Sequence, residues 1–166
     1  MKRRLTIFTL TTLAIVAFIG VAWTALSPAL AGEATQISGV AVLDEADECD
    51  SGSKEADFAL IMSGDLEGCL YTFVQSAESS PSGTYRETGT ELFVGVYKGE
   101  VGTFKTTYRF EAKYDLSGEI FGRCQHPIVE GSGTGVFEGV TGILFFKDII
   151  EAENAPYYLY RGHLRG

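Results

Sequence analysis

Four residues of this chain have the types and spacings from which chemistry is built. Glu87 and Glu91 sit in one partly aromatic run, and Cys124 and His126 in another. Two carboxyls in an aromatic surrounding can fix the polar groups of a ligand or move a proton. A cysteine and a histidine can serve as nucleophile and base. Other chemistries find little support. No G-x-S-x-G occurs, and the histidines are His126 and His163 alone, so a serine triad has no elbow. Cys124 and His126 would offer zinc two ligands on one strand face and leave two unaccounted for. Asp44, Glu45, Asp47, Glu48 and Asp50 lack the D-x-[DN]-x-[DN]-G order of a calcium loop and read as a solvated acidic loop. The sequence therefore points to no metal and no cofactor, and it assigns no catalytic residue.

What the four residues can do depends on the strands that carry them. In a strand, alternate side chains share a face. Across Tyr85–Tyr97 one face carries Tyr85, Glu87, Gly89, Glu91, Phe93, Gly95 and Tyr97. The other carries Arg86, Thr88, Thr90, Leu92, Val94 and Val96. Four strand residues place Glu87 and Glu91 roughly 13 Å apart, too far to share a proton but suited to opposite ends of a ligand. Thr103–Tyr114 alternates most cleanly, with Phe104, Thr106, Tyr108, Phe110, Ala112 and Tyr114 against Lys105, Thr107, Arg109, Glu111 and Lys113. If both rows point inward, Tyr85, Glu87, Glu91, Phe93, Tyr97, Tyr108 and Phe110 make an aromatic ligand-binding lining with two acids in it. Glu87→Gln and Glu91→Gln are then expected to alter binding more than stability. If the first row points outward, Leu92, Val94 and Val96 fill the core instead. A bulge at Gly89 or Gly95 would also switch the register. Cys124 and His126 share a face roughly 6.6 Å apart, with no third group to orient them, and read as structural.

The other elements are strands too. TQISGVAVL at 35–43 is short. ADFALIMS at 56–63 and CLYTFVQS at 69–76 form a hairpin across Gly64–Gly68. The stretches 120–129, 140–146 and 157–164 complete the set. No amphipathic helix of useful length follows residue 31. Seven or eight strands with glycine-rich turns indicate an all-β domain. Closure removes exposed edges, so the expected fold is a single closed antiparallel barrel of about eight strands.

The N-terminus reads as a targeting segment. Lys2, Arg3 and Arg4 precede an uncharged, mostly apolar run from Leu5 to Leu26, and Ala29-Leu30-Ala31 closes it. Residues 1–31 are the expected signal peptide, cleaved after Ala31, and 32–166 the barrel domain. An uncleaved anchor is the alternative, because the run is long enough to span a bilayer. Pro28 and the small residues favour cleavage. Either way the domain lies outside the cytoplasm, secreted or anchored. The whole chain carries a formal charge of −9, and the leader's three cations leave the remainder more acidic still. Such a surface repels nucleic acid and anionic lipid headgroups, so neither is an expected partner, and no stable membrane insertion is expected after cleavage.

Of three cysteines, Cys49 and Cys69 flank a chain reversal at Gly64-Asp65 and are the expected bridge, worth roughly 3 kcal/mol. Cys124 is left as a buried thiol.

One stretch carries a resemblance. Gly133, Gly135, Phe137, Glu138, Gly139 and Gly142 spell G-x-G-x-F-E-G-x-x-G, followed by an apolar strand and an aromatic one containing Tyr160-Arg161-Gly162. This order resembles the C-terminal half of the allene oxide cyclase barrel-like family, most clearly over residues 103–164, and plant dirigent proteins carry a similar glycine turn. The resemblance implies a small barrel, and for the cyclases a cavity holding a fatty-acid-derived epoxide. The carboxylate that those cyclases use near their N-terminal strands has no matching motif here. Three readings follow. The first is a secreted barrel binding a small apolar molecule without established catalysis. The second is a cyclase- or isomerase-type enzyme acting on a lipid-derived substrate. The third is a structural or interaction module with a filled core, including a homo-oligomer.

Overall fold

The computed structural model describes residues 33–49, 55–151 and 155–166. The expected signal peptide at 1–31, and Asp50 of the acidic loop, lie outside the described residues. Nine strands form one sheet. They are β1 (Thr35–Leu43), β2 (Phe58–Gly64), β3 (Leu66–Ser79), β4 (Thr84–Tyr97), β5 (Glu100–Asp115), β6 (Gly118–Pro127), β7 (Thr134–Gly135), β8 (Thr141–Ile149) and β9 (Tyr157–Arg165). Eight of them close a ring in the order β1-β2-β3-β4-β5-β6-β8-β9 and back to β1, every pair antiparallel. The two-residue β7 adds to β5 as a ninth strand. The chain is thus a closed eight-stranded antiparallel barrel, as its alternation and turns imply.

Turn chemistry sets the register that matters most. β4 and β5 are joined by Lys98-Gly99, both at positive φ (52° and 83°). Such a two-residue turn matches the twist of the flanking strands. It places Phe93 opposite Phe104, Glu91 opposite Thr106 and Glu87 opposite Phe110. The β2–β3 ladder ends at Met62 opposite Gly68, so the chain reverses through the expected Gly64–Gly68 segment, within which Gly64 pairs with Gly39 on β1 and Leu66 with Tyr97 on β4. The Asp65 carboxylate accepts the Ser38 amide at 2.7 Å, which secures this corner. The bulge expected near Gly89 or Gly95 lies opposite Gly89, on β3 between Val74 and Ser76, while β4 pairs with β5 without interruption.

The inward face of β4 is the one with Tyr85, Glu87, Glu91 and Phe93. Glu91 and Phe93 are buried, whereas Val94 on the opposite face is exposed. At one end of the barrel the interior is apolar and full. Phe93 stacks on Phe104 with ring centroids 4.9 Å apart, and Phe137 drives edge-on into both. The glycine motif explains how Phe137 arrives there. Gly135 and Gly139 take positive φ, which lets residues 134–140 fold into successive tight turns that point the ring into the barrel end. Outside the barrel, Cys49 and Cys69 form the expected disulfide. It ties the acidic β1–β2 loop to β3, and the Tyr71 hydroxyl donates to the Cys49 carbonyl at 2.9 Å. A bridge of this kind belongs to an oxidising, extracytoplasmic compartment.

Candidate functional site

Midway along the barrel, β3, β4 and β5 bring Thr72, Glu91 and Thr106 into one row, because Thr72 pairs with Glu91 and Glu91 with Thr106. β6 adds His126. The His126 Nδ1 lies 2.6 Å from Glu91 Oε2, and both side chains are all but fully buried. The Thr106 hydroxyl donates to the same oxygen at 2.6 Å, and the Thr72 hydroxyl reaches Oε1 at 3.4 Å. The imidazole is flanked by the Phe146 ring at 4.3 Å and the Tyr108 ring at 6.2 Å. Its other nitrogen, Nε2, is buried with no hydrogen-bond partner. A carboxyl that fixes one imidazole nitrogen orients the second, as in acid–base dyads. Nε2 is therefore the ring atom left for a further partner, its role as donor or acceptor set by the tautomer.

Closer to the end where β4 begins, Glu87 is held by two phenols. The Tyr108 hydroxyl donates to Oε1 at 2.7 Å, and the Tyr85 hydroxyl donates to Oε2. The absence of a side chain at Gly89 makes the first contact available, since a Cβ there would stand 2.6 Å from the Tyr108 ring. Hydrogen bonding to the carboxylate pushes the Tyr85 phenol up to about 12. Burial raises the Tyr108 phenol further, with the Glu87 bond second. Both phenols therefore stay donors across the physiological range.

A third acidic centre lies on β6 and β8. The register between β5 and β6 slips at Ile120, so that Tyr114 pairs with Glu119 although Lys113 pairs with Phe121. Such an irregularity re-aims side chains. Here it sets the Glu119 carboxyl beside Asp148, over Gly122, where a Cβ would stand 2.2 Å from Asp148 Oδ2 and 2.5 Å from Glu119 Oε1. Burial, then the hydrogen bond with Glu119, pushes the Asp148 carboxyl up to about 7. Glu119 Oε1 is buried and has no other partner. The neighbouring Glu119 thus disfavours the charged form of Asp148. The Tyr114 hydroxyl donates to Glu119 Oε2 at 3.1 Å, and burial raises the Tyr114 and Tyr158 phenols.

The residues expected in one lining divide along the barrel. Tyr85, Glu87, Tyr108 and Phe110 gather at the end just described, with Tyr85 and Phe110 edge to face at 6.0 Å. Glu91 lies midway and is saturated by its own partners. Phe93 and Tyr97 belong to the other end, packed against Phe137. A pocket of about 410 Å³ opens beside Tyr85 and Tyr114, lined also by Ser79, Gly83 and Thr84. Cys124 is buried and its thiol is pushed up by burial, so it is no thiolate nucleophile. His126 was singled out with Cys124 but read as structural, and its pairing with Glu91 was not foreseen; two further participants escaped the sequence reading. Asp148 follows Leu144 and Phe146 at period two, a usable signal. Glu119 depends on the slip at Ile120, which nothing in its neighbourhood announces.

Residues 34–160 match the DUF3224 family, described as proteins of unknown function. The chain belongs to the DUF3224 family. No curated protein and no solved structure matches it. The DUF3224 barrel presents its charges in two populations. Lys105, Arg109, Lys113, Arg123, Lys147, Arg161 and Arg165 alternate outward on β5, β6, β8 and β9, whereas Glu87, Glu91, Glu119 and Asp148 turn toward the interior. Among the described residues the ion pairs made by lysine or arginine both go to Glu111 on the outer face.

Proposed function

We propose that this DUF3224 protein is an exported barrel that binds a small, largely apolar molecule in the end of its interior bounded by Tyr85, Glu87, Tyr108 and Phe110. The observation that carries this reading is the hydrogen-bonded carboxyl of Glu87, held by two phenols in a half-open aromatic surrounding rather than covered by packing. A few fixed polar groups within apolar walls give a ligand its orientation, while apolar area gives affinity. The closed barrel supports the likeness to the allene oxide cyclase barrel-like family. The disulfide supports export, with residues 1–31 as the cleaved leader. Hydrophobic fluorophores and fatty-acid derivatives titrated into the mature protein provide the test. Binding should saturate near one site per chain. Glu87→Gln should weaken it several-fold while shifting stability by less than about 0.5 kcal/mol, as for a half-exposed site. Absence of any saturable ligand, with Glu87→Gln indistinguishable from wild type, ends this reading.

One observation favours a second reading, an enzyme of the cyclase or isomerase type. The Glu91–His126 pair leaves Nε2 unpartnered, and a base held in that way can shuttle a proton. Turnover of a lipid-derived epoxide that vanishes in His126→Asn, with binding retained, would move the conclusion there.

A further inference from the structure

The polar inventory of the interior is one-sided. Glu87, Glu91, Glu119 and Asp148 contribute oxygens, and His126 contributes an unpartnered, all but fully buried Nε2. The donors nearby are already engaged. Tyr85 and Tyr108 donate to Glu87, Tyr114 to Glu119, and Thr72 and Thr106 to Glu91. No lysine or arginine among the described residues pairs with any of these acids. A ligand headed by a carboxylate would meet acceptors and negative charge. A ligand that brings donors and positive charge would satisfy both deficits.

The walls fit the same chemistry. Tyr85 lies edge-on to Phe110 at 6.0 Å and to Tyr114 at 6.3 Å, and Tyr158 pairs with Asp148 across β8 and β9. Aromatic faces attract ammonium groups, and a carboxylate beside them adds charge-assisted hydrogen bonds. A pocket of about 410 Å³, lined by Ser79, Gly83, Thr84, Tyr85 and Tyr114, opens at the end where β4 begins, and the Tyr85 and Tyr114 hydroxyls lead from it to Glu87 and Glu119. His126 supplies an independent observation. Its ring lies against that of Tyr108, whose hydroxyl holds Glu87, and its buried Nε2 has no protein partner.

We propose that the interior site takes a protonated organic amine, with Glu87, Glu119 and Asp148 as its anionic wall and Tyr85, Phe110, Tyr114 and Tyr158 as its aromatic one. This rests on the reading of the barrel as a small-molecule binder and names the ligand class. Retaining buried acids without cationic partners costs stability, and a cationic ligand would recover that cost when it binds. The Glu87 carboxylate meets the ammonium directly. The cation favours the Asp148 carboxylate, so binding releases a proton from Asp148 near neutral pH.

The test uses the mature chain and four probes of one chain length: octylamine, octyltrimethylammonium, octanoic acid and 1-octanol. Calorimetry at pH 8 is expected to rank both cations at least ~10-fold tighter than octanoate and octanol, from charge-assisted pairing. Amide shifts on octylamine addition should concentrate at Tyr85, Gly122 and Asp148. Glu87→Gln and Asp148→Asn should each weaken octylamine by roughly 10-fold, and each should weaken octylamine more than octanol. The wild-type ranking decides even if a variant fails to fold. Octanoate or octanol binding as tightly as octylamine at the same residues overturns the amine assignment and leaves the small-molecule reading standing. Octylamine shifting only outer-face residues such as Glu111 overturns the amine assignment as well. No binding by any probe overturns both.

Discussion

The two ends of this barrel are built from the same eight strands and have opposite interiors. At the end where β4 finishes, Phe93, Phe104 and Phe137 are essentially without solvent exposure, and Tyr97 stacks on Phe137 at 5.9 Å. At the end where β4 begins, Tyr85, Glu87 and Phe110 are only half-buried, and burial beside Glu119 pushes the Asp148 carboxyl up to about 7. The difference lies in what each end receives from the chain between strands. Residues 134–140 deliver a phenylalanine into the first. The loops at the second deliver no such plug among the described residues, and its strands supply acids instead. A closed small barrel has just enough interior for side chains to fill. Filling one end and leaving polar groups at the other divides stability from recognition along a single axis.

Substitutions can break that division or sharpen it. The largest effect is expected from Phe137→Ala. It removes a fully buried ring from an aromatic cluster and should cost about 3–5 kcal/mol in denaturant unfolding. Octylamine or fluorophore binding by the folded fraction should persist, and its loss would show that the ends are coupled. Next comes Glu91→Gln. The alternation alone predicts it to behave like Glu87→Gln, yet the geometry separates the two. Glu91 is enclosed by His126, Thr72 and Thr106, so an amide there leaves one buried donor facing another. It should lower stability by about 1–3 kcal/mol. A ΔΔG near zero would mean that the His126 bond contributes nothing.

The smallest effect is one of pH. Asp148 has a carboxyl at about 7 in the fold against an ordinary 3.8, so the folded state binds the proton more tightly than the unfolded state. Its protonation favours the fold fully below about pH 4, and that contribution disappears as pH rises to about 7. The groups facing it are Glu119 on β6, Cys124 on β6, Tyr114 on β5 and Tyr158 on β9, and the three phenol and thiol groups are all raised and uncharged over this window. Melting temperature should therefore decline between pH 4 and 7. Asp148→Asn should flatten that decline, and an unchanged slope would show that Asp148 is not the group responsible.

Strand identity was legible because period two is local. Thr103–Tyr114 announces its own inner face, and the Lys98-Gly99 turn fixes what lies opposite it. The disulfide was legible from a reversal between two cysteines. The Glu91–His126 bond was not, because β4 and β6 are not neighbours. Their contact passes over β5 and exists only once the sheet has curled. Glu119 was hidden for a different reason. A one-residue slip reverses a side chain's direction without any change in composition. The lining expected from alternation was correct in direction and too uniform in use. Facing inward does not reveal whether another part of the chain has already taken the space.

The closure between β1 and β9 carries a consequence for how the chain is made. Thr35 pairs with Leu164, and the Tyr160 hydroxyl reaches back to accept the Leu66 amide at 2.9 Å. The first strand of the domain thus waits for the last. During synthesis each later barrel strand up to β8 can emerge and pair with the barrel strand before it, β8 with β6, while β1 keeps a bare edge until β9 arrives. Loop closure over so long a separation makes barrel completion a late and slow event. Until then the unpaired edge invites pairing with other chains. A chain ending before Tyr157 would keep most of its hairpins and never become a barrel.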